Sequence, residues 1–364
     1  MELVLFNQVE KSFFRDVVNL GDKRISTING LIIMKKSERR EVVEYSRKIY
    51  REVVEKSGKT DFFGHIRIDL VPSVKNLRKT ARGYKWDLSI SGVYEINSNS
   101  PECGAATAAL HDNFKELAEK QPDPAKRIIE SLNGHINGEK IAFVVGKGAV
   151  KKEWGHVFMR SLQEKGLNIE EVGPEEAEKY ECVWRFGDMR CGSYSEFSKK
   201  FRRMLLQKQE RDLVLNTVPE SPEKDIGNKR YLLSENEREL KNKDDLKWAL
   251  RQKDMVLKPF RGTSGRGIYF QKDMDEKMWA SKLKECKGQD YGLFKSKWLP
   301  RIEIDEVDGG VAMDLSPSFL ARGKKLDYLY SISRIEEFDV YEKRSTINVA
   351  RGGGFAGTLL DNEN

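Results

Sequence analysis

Residues 94–101, Tyr94-Glu95-Ile96-Asn97-Ser98-Asn99-Ser100-Pro101, close a run that starts at Arg67-Ile68-Asp69-Leu70. Val93, Glu95 and Asn97 alternate with Tyr94 and Ile96, a period of two that predicts a strand. On a strand, Glu95 and Asn97 share a face. A carboxylate and an amide oxygen side by side are hard oxygen ligands of the kind Mg²⁺ accepts. Arg67 and Asp69 make a second same-face pair, on the partner strand of a predicted hairpin. The four side chains then converge on one small area, which suits a metal-bound polyphosphate. The same spacing equally suits a sheet with one polar, solvated face.

Around this hairpin the chain reads as follows. Residues 1 to about 60 are expected to be largely helical after an irregular start. Arg39 to Lys56 carries Val42, Val43, Tyr45, Ile49, Tyr50, Val53 and Val54 as a helical stripe, with Gly58 to end it. The connection from Pro72 to Lys85 reads as a long basic loop, either functional or merely solvated. The small residues from Gly104 to Ala109 suggest a helix N-terminus packed closely, which offers N–H groups to an anion. Ile141–Gly146, Leu167–Val172 and Val183–Phe186 read as strands and Trp154–Lys165 as a helix, a small parallel α/β unit. Gly146-Lys147-Gly148 lacks the full dinucleotide fingerprint, since position 151 is Lys151, and reads as a turn.

Tyr194 to Arg211 is a basic helix whose Phe197, Phe201, Met204 and Leu205 form a core stripe. A solvated outer face is the simpler reading, and a nucleic-acid surface the other. Gly227 to Leu232 opens a helical region. Met255 to Phe270 reads as strand, glycine-rich loop, strand. Gly262, Thr263, Ser264, Gly265 and Gly267 can wrap phosphates with backbone N–H groups and hydroxyls, and Lys258 stands on the strand before them. No helix and no Gly-Lys-Ser/Thr follow, so the loop is not a Walker A motif. A tight hairpin is the plainer alternative. Leu293–Pro300, which holds Lys297, Val311–Ser316 and Leu326–Ile332 read as further strands. Arg344 to Thr358 is a second glycine-rich loop.

The chain has 364 residues, 38% hydrophobic and 34% charged, enough for two or three units around one or two cores. Its 65 basic and 58 acidic residues are interleaved, which describes solvated helix faces better than a nucleic-acid stripe. The net charge of +7 also suits an anionic substrate such as a nucleotide. Cys103, Cys182, Cys191 and Cys286 lack the spacing of a zinc site or a disulfide framework. No basic, apolar leader opens the chain and no apolar run reaches the ~18 residues of a membrane span, so a cytoplasmic protein with no membrane and no nucleic-acid partner is expected. Oligomeric state is left open.

Arg67-x-Asp69 followed by Glu95-Ile96-Asn97 resembles the Arg-x-Asp … Glu-x-Asn motif of ATP-grasp ligases. Lys258-Pro259 and the glycine loop after it resemble the strand lysine and phosphate loop of that superfamily. The motif order is reversed here. In this it is similar to the circularly permuted branch that includes eukaryotic glutathione synthetase and glutathionylspermidine synthase. Gly227-Asn228-Lys229 resembles the segment with the first ATP-contacting lysine, and Arg344 through Gly357 the arginine and lid loop.

The resemblance implies an α/β (α+β) fold, a circularly permuted ATP-grasp core with an inserted Rossmann-like parallel α/β substrate domain. Residues 1–137 would be the permuted N-terminal part with the Mg-binding hairpin, 138–216 the insert, and 217–364 the ATP-binding part. It implies ATP and Mg²⁺ as cofactors and a carboxylate–amine ligase forming a peptide-like bond through an acyl phosphate. The partners would be a small-molecule or peptide carboxylate and an amine. Glu95 and Asn97 would bind Mg²⁺, with Asp69 a further metal or second-shell carboxylate. Arg67 and Arg344 would be catalytic. Lys229, Lys258, Lys297, Gly262, Thr263, Ser264, Gly265 and Gly267 would hold ATP. The chain departs from glutathione synthetases at Arg261-Gly262, where those enzymes carry a metal-binding glutamate. Asp69 then replaces that ligand, or one metal is held more weakly, or the chain is an ATP-binding regulatory module without ligase chemistry.

Overall fold

The computed structural model describes residues 1–5, 14–20, 23–28, 30–98, 123–133, 140–145, 149–186, 199–210, 214–215, 225–261, 267–344 and 354–360. It is a mixed α/β protein with two mainly antiparallel sheets and one parallel sheet. The chain opens with β1 (Glu2–Leu5), β2 (Phe14–Leu20), β3 (Lys23–Ile28) and β4 (Gly30–Met34). Among the described residues the expectation of a largely helical first sixty residues therefore holds only from Lys36 to Ser57. That helix buries Val42, Val43, Tyr50, Val53 and Val54 on one stripe. The Glu38 carboxylate accepts from the Lys35 N–H at its N-terminus, where negative charge is favoured. Gly58, at φ +66°, ends it in the left-handed region that glycine reaches without strain.

The hairpin follows as β5 (Phe63–Thr80) and β6 (Gly83–Asn97). The basic run at 72–85 is thus not a long loop: both strands continue through it to a two-residue turn at Ala81 and Arg82. β5 is buried from Phe63 to Pro72 and becomes exposed beyond, because its outer end projects past the core.

β7 (Ile141–Val145), β8 (Ile169–Glu171), β9 (Cys182–Phe186) and β10 (Val214–Leu215) form the parallel sheet, in the order β10-β9-β7-β8. Helix Lys199–Gln209 packs on it through Phe201, Met204 and Leu205. Residues 229–232 make a single 3₁₀ turn in place of the expected helical region.

β11 (Arg238–Glu239), β12 (Met255–Pro259), β13 (Tyr269–Phe270) and β14 (Tyr291–Lys295) form an antiparallel sheet in the order β11-β14-β12-β13. β15 (Arg301–Ile302), β16 (Val311–Met313), β17 (Ser316–Arg322), β18 (Lys325–Glu337) and β19 (Gly354–Leu360) return to the first sheet. Its order is β15-β16-β18-β17-β5-β6-β1-β4-β19-β3-β2, and β18 also pairs with β19. Residues 354–357, expected within a lid loop, are instead strand, with Phe355 opposite Arg334.

Alternation along β5 divides its side chains. Ile66, Ile68 and Leu70 join the core under helix Lys36–Ser57. Phe63 turns the other way and packs with Phe143, Phe158, Trp184 and Phe186 of the parallel unit. His65 follows Phe63 on that face, and Arg67 and Asp69 come next.

Among the described residues no helix is long and apolar enough to cross a membrane.

Candidate active site

The strand register sets the hairpin residues directly across from one another: Arg67 opposite Asn97 and Asp69 opposite Glu95. The Arg67 guanidinium closes on the Asp69 carboxylate with two bonds, Nε to Oδ1 at 2.6 Å and Nη2 to Oδ2 at 2.9 Å. Asn97 Nδ2 reaches Asp69 Oδ2 at 3.2 Å and Glu95 Oε1 at 3.3 Å, so its carbonyl oxygen points elsewhere.

Asp69 is fully buried, and three further residues converge on it or on its partners. Ser316 Oγ donates to Oδ1 at 3.1 Å and Arg334 Nη2 to Oδ2 at 3.0 Å. Arg334 is held in turn by Asp314, through Nε to Oδ2 at 2.7 Å and its own N–H to Oδ1 at 2.9 Å. Burial pushes the Asp314 carboxyl up, against the pull of Arg334. Five donors thus fill two carboxylate oxygens, which offer about four lone-pair directions. To serve as a metal ligand, Asp69 would have to release one of them.

Asp314, Ser316 and Arg334 carry this cluster and were not singled out by the sequence. The readable signal was a lone Asp inside the apolar run Val311-Ala312-Met313-Asp314-Leu315, since a charge in a buried strand needs a partner.

Three lysines arrive from three separate segments. Lys229 Nζ pairs with Glu95 Oε2 at 3.1 Å. Its own N–H donates to the Phe260 carbonyl, which places the 3₁₀ turn beside β12. Lys258 Nζ lies 5.4 Å from the Tyr94 ring centre and 5.6 Å from that of Phe294, a cation–π seat. Among the described residues no carboxylate is within ion-pair distance of it. Burial, with Lys229 and Lys297 nearby, lowers its ammonium pKa to about 8, while Glu95 and Glu237 oppose that shift. Lys297 Nζ donates to the Val93 carbonyl at 3.3 Å, and Tyr94 Oη donates to the Lys297 carbonyl at 2.6 Å, so Lys297 is stapled to β6 from both sides.

The sheet bearing Lys258 is shaped for close approach. Gly292 lies opposite Lys258, and a Cβ there would sit 2.4 Å from Phe260 Cε1. Val256, Phe260 and Phe294 form an apolar cluster with Leu233, Ile268 and Phe270 beside the lysines. Gly267 stands at φ +74° against Tyr291 and Pro259. Gly262, Thr263, Ser264 and Gly265 lie outside the described residues, and Arg344 ends the helix Phe338–Arg344. Arg261, at the point of departure, pairs with Asp290 at 2.5 Å.

The donor set suits a magnesium–polyphosphate pair better than a metal alone. Among the described residues no group of three or more His, Cys, Asp and Glu side chains is arranged to hold a metal ion. Mg²⁺ takes only one or two protein carboxylates when phosphates complete its shell. Glu95 and the Asn97 carbonyl could supply hard oxygens, and Lys258 and Lys297 bring cations that, among the described residues, have no partner carboxylate.

No family model matches the chain, and no curated protein matches it. Among solved structures it is similar to a glutathione synthetase-like effector (GSS30) from Globodera pallida in its apo form. The identity is 8% and the TM-score 0.43, over 91% of this chain and 89% of that one.

Proposed function

We propose that this chain is an ATP- and Mg²⁺-dependent carboxylate–amine ligase of the circularly permuted ATP-grasp type. On this reading residues 1–137 and 217–364 form the nucleotide-binding core and 138–216 the substrate unit. The observation that carries it is the convergence of Lys229, Lys258 and Lys297 on the face that bears Glu95 and Asn97. The apolar cluster of Val256, Phe260 and Phe294 would take the base.

Joining a carboxylate to an amine in water is uphill, so the carboxylate is first phosphorylated by ATP. Negative charge grows on phosphoryl and acyl oxygens along the way, and preorganised cations stabilise it. Glu95 and Asn97 would hold Mg²⁺, which supplies Lewis-acid neutralisation of phosphate charge when bound. Lys229, Lys258 and Lys297 would hold the phosphates, with the Gly262–Gly267 segment covering them. Arg67 is preorganised by its two bonds to Asp69 and would meet the acyl oxygens. Arg344 would meet a substrate carboxylate. Asp69 keeps both arginines of its cluster in place instead of binding metal.

The test is ADP release by the full chain with Mg²⁺, ATP and a panel of amino-acid and peptide carboxylates and amines. Glu95→Gln, Asn97→Ala and Lys258→Ala should each cut turnover by about 10²-fold or more. Intact turnover in all three would sink the assignment. A second reading, a nucleotide-binding regulatory module, is favoured by Arg261 standing where the related enzymes keep a metal-binding glutamate. MgATP binding without ADP release across the whole panel would select it.

A further inference from the structure

We infer that Asp225, through its hydrogen bond with Ser98, positions Lys229 against Glu95 and thereby sets the nucleotide affinity of the site; this rests on the nucleotide-binding reading above. Ser98 directly follows Asn97 and is buried, and Asp225, Asn228 and Lys229 are buried with it. Ser98 Oγ donates to Asp225 Oδ1 at 2.9 Å, and the same oxygen accepts the Gly227 N–H at 2.8 Å. The Asp225 carbonyl accepts the Asn228 N–H at 2.9 Å. One carboxylate therefore shapes the turn that launches Lys229 and ties that turn to the end of β6.

The tie matters because Lys229 serves two sheets. Its N–H donates to the Phe260 carbonyl of the small antiparallel sheet at 3.1 Å, while its Nζ meets Glu95 of the large sheet at 3.1 Å. Ile226 seats the turn in the large core, but apolar contact is non-directional. Lys56 Nζ also reaches the Tyr231 and Leu233 carbonyls, at an exposed position where water competes. The Asp225–Ser98 bond is buried and directional. It closes a ring that runs from Glu95 through Ser98, Asp225 and Lys229 back to Glu95. Within that ring the flexible lysine stem keeps one direction, so its charge meets a phosphate without first losing rotamer freedom.

The experiment is calorimetric titration of the full chain with MgATP, alongside thermal melts. Asp225→Ala should weaken binding about tenfold, the size expected for losing a buried hydrogen bond to a charged group. Ser98→Ala should weaken it in the same direction. Asp225→Asn keeps the acceptor oxygen and drops the charge, and should restore affinity to within about twofold of wild type. The decisive comparison is with Lys229→Ala. If Asp225 acts through Lys229, then Asp225→Ala adds no further loss in that background.

The inference is overturned if Asp225→Ala binds as wild type does. It is also overturned if its loss persists in full on top of Lys229→Ala, or if Asp225→Asn is as impaired as Asp225→Ala. Should Asp225→Ala not fold, Ser98→Ala and Ser98→Ala/Lys229→Ala read the same coupling. A wild-type chain that takes up no MgATP overturns the nucleotide reading itself, and a binding wild type with uncoupled variants overturns only the positioning role.

Discussion

Replacing Asp69 with Asn separates a structural anion from a metal ligand. Asp69 has no exposed surface and accepts from Arg67 twice, from Arg334, from Asn97 and from Ser316. An asparagine keeps the shape but turns one acceptor oxygen into an NH₂ donor. In either amide orientation that donor faces a guanidinium N–H: Arg67 Nη2 and Arg334 Nη2, with Asn97, on one side, and Arg67 Nε on the other, where only the Ser316 hydroxyl can turn to accept. Asp314 would remain as the anion for the cluster's two guanidiniums. Removing one partner of a buried ion pair costs about 3–5 kcal/mol, a large part of the ~5–15 kcal/mol by which a folded domain is stable.

The assay is urea unfolding of apo protein with a chelator present. Asp69→Asn should lose stability by that amount without any metal in solution. Glu95→Gln is the comparison: the Glu95 side chain is 26% exposed, so although its partner Lys229 is buried, the same assay should register a clearly smaller loss than Asp69→Asn. The reasoning is refuted if Asp69→Asn unfolds within about 0.5 kcal/mol of wild type under chelation and shows its defect only as weaker Mg²⁺ binding. Asp69 would then be a ligand, and its five donors incidental.

Two further outcomes concern pH. Lys258 has an ammonium pKa lowered from 10.5 to about 8, so between those values the unfolded chain binds a proton that the folded chain has released. Its contribution to stability therefore rises with pH across that window. Below it, charged Lys258 costs up to about 3 kcal/mol, less to the extent that water reaches the side chain. Lys258→Met should be more stable than wild type in urea at pH 7 and lose that advantage towards pH ~10.5; equal midpoints at pH 7 would contradict it. His65 is driven from 6.5 down to about 3 by burial and by Arg67, so its neutral ring stabilises the fold above that range and the stability is lost as pH falls through it. The slope from this one group is about 1.4 kcal/mol per pH unit. His65→Phe keeps an aromatic against Phe158 and should flatten the acid limb of stability against pH; superimposable limbs would remove the assignment.

The alternation of 67–70 and 95–97 was enough to read the hairpin, because one face is buried and register is then strongly specified; the expected alternation breaks at Tyr94, where an extra residue opposite the Asp69–Leu70 step turns Val93 into the same core as Ile96. The parallel unit was legible for a similar reason: its strands are short apolar runs punctuated by turn residues. The outer hairpin misled because Lys75, Arg78 and Lys79 lie on a strand beyond the core, with Arg82 in the turn that ends it, where no apolar alternation marks them. The opening strands were overshadowed by the helical stripe of 39–56. Arg334 illustrates a harder limit. Its partner Asp69 is 265 positions away in sequence, and only the adjacency of β18, β17 and β5 brings them together. A charge inside an apolar strand announces that it has a partner, and the identity of that partner resides in sheet order.

The same strand explains why the charged site can be so tightly built. Along one face of β5 the side chains run from Phe63 to His65 to Arg67 to Asp69, passing from an aromatic core to an ionic cluster in a single step of two residues. His65 spans the change: its Nε2 pairs with Tyr330 Oη at 3.1 Å, and its ring stacks near Phe158 of the parallel unit at 6.3 Å. The parallel unit is thus joined to the site strand by apolar contact, which ionic screening does not weaken. The small sheet meets the large one at the site through Lys229–Glu95, Lys297–Val93 and Tyr94–Lys297, all polar and directional. Such bonds hold geometry well but exchange readily with water and with ions. Of the two units beside the hairpin, the one carrying Lys258 is therefore joined at the site by bonds that, on the proposed reading, an incoming polyphosphate would replace, while Arg67 and Asp69 stay on a strand packed against the aromatic seam.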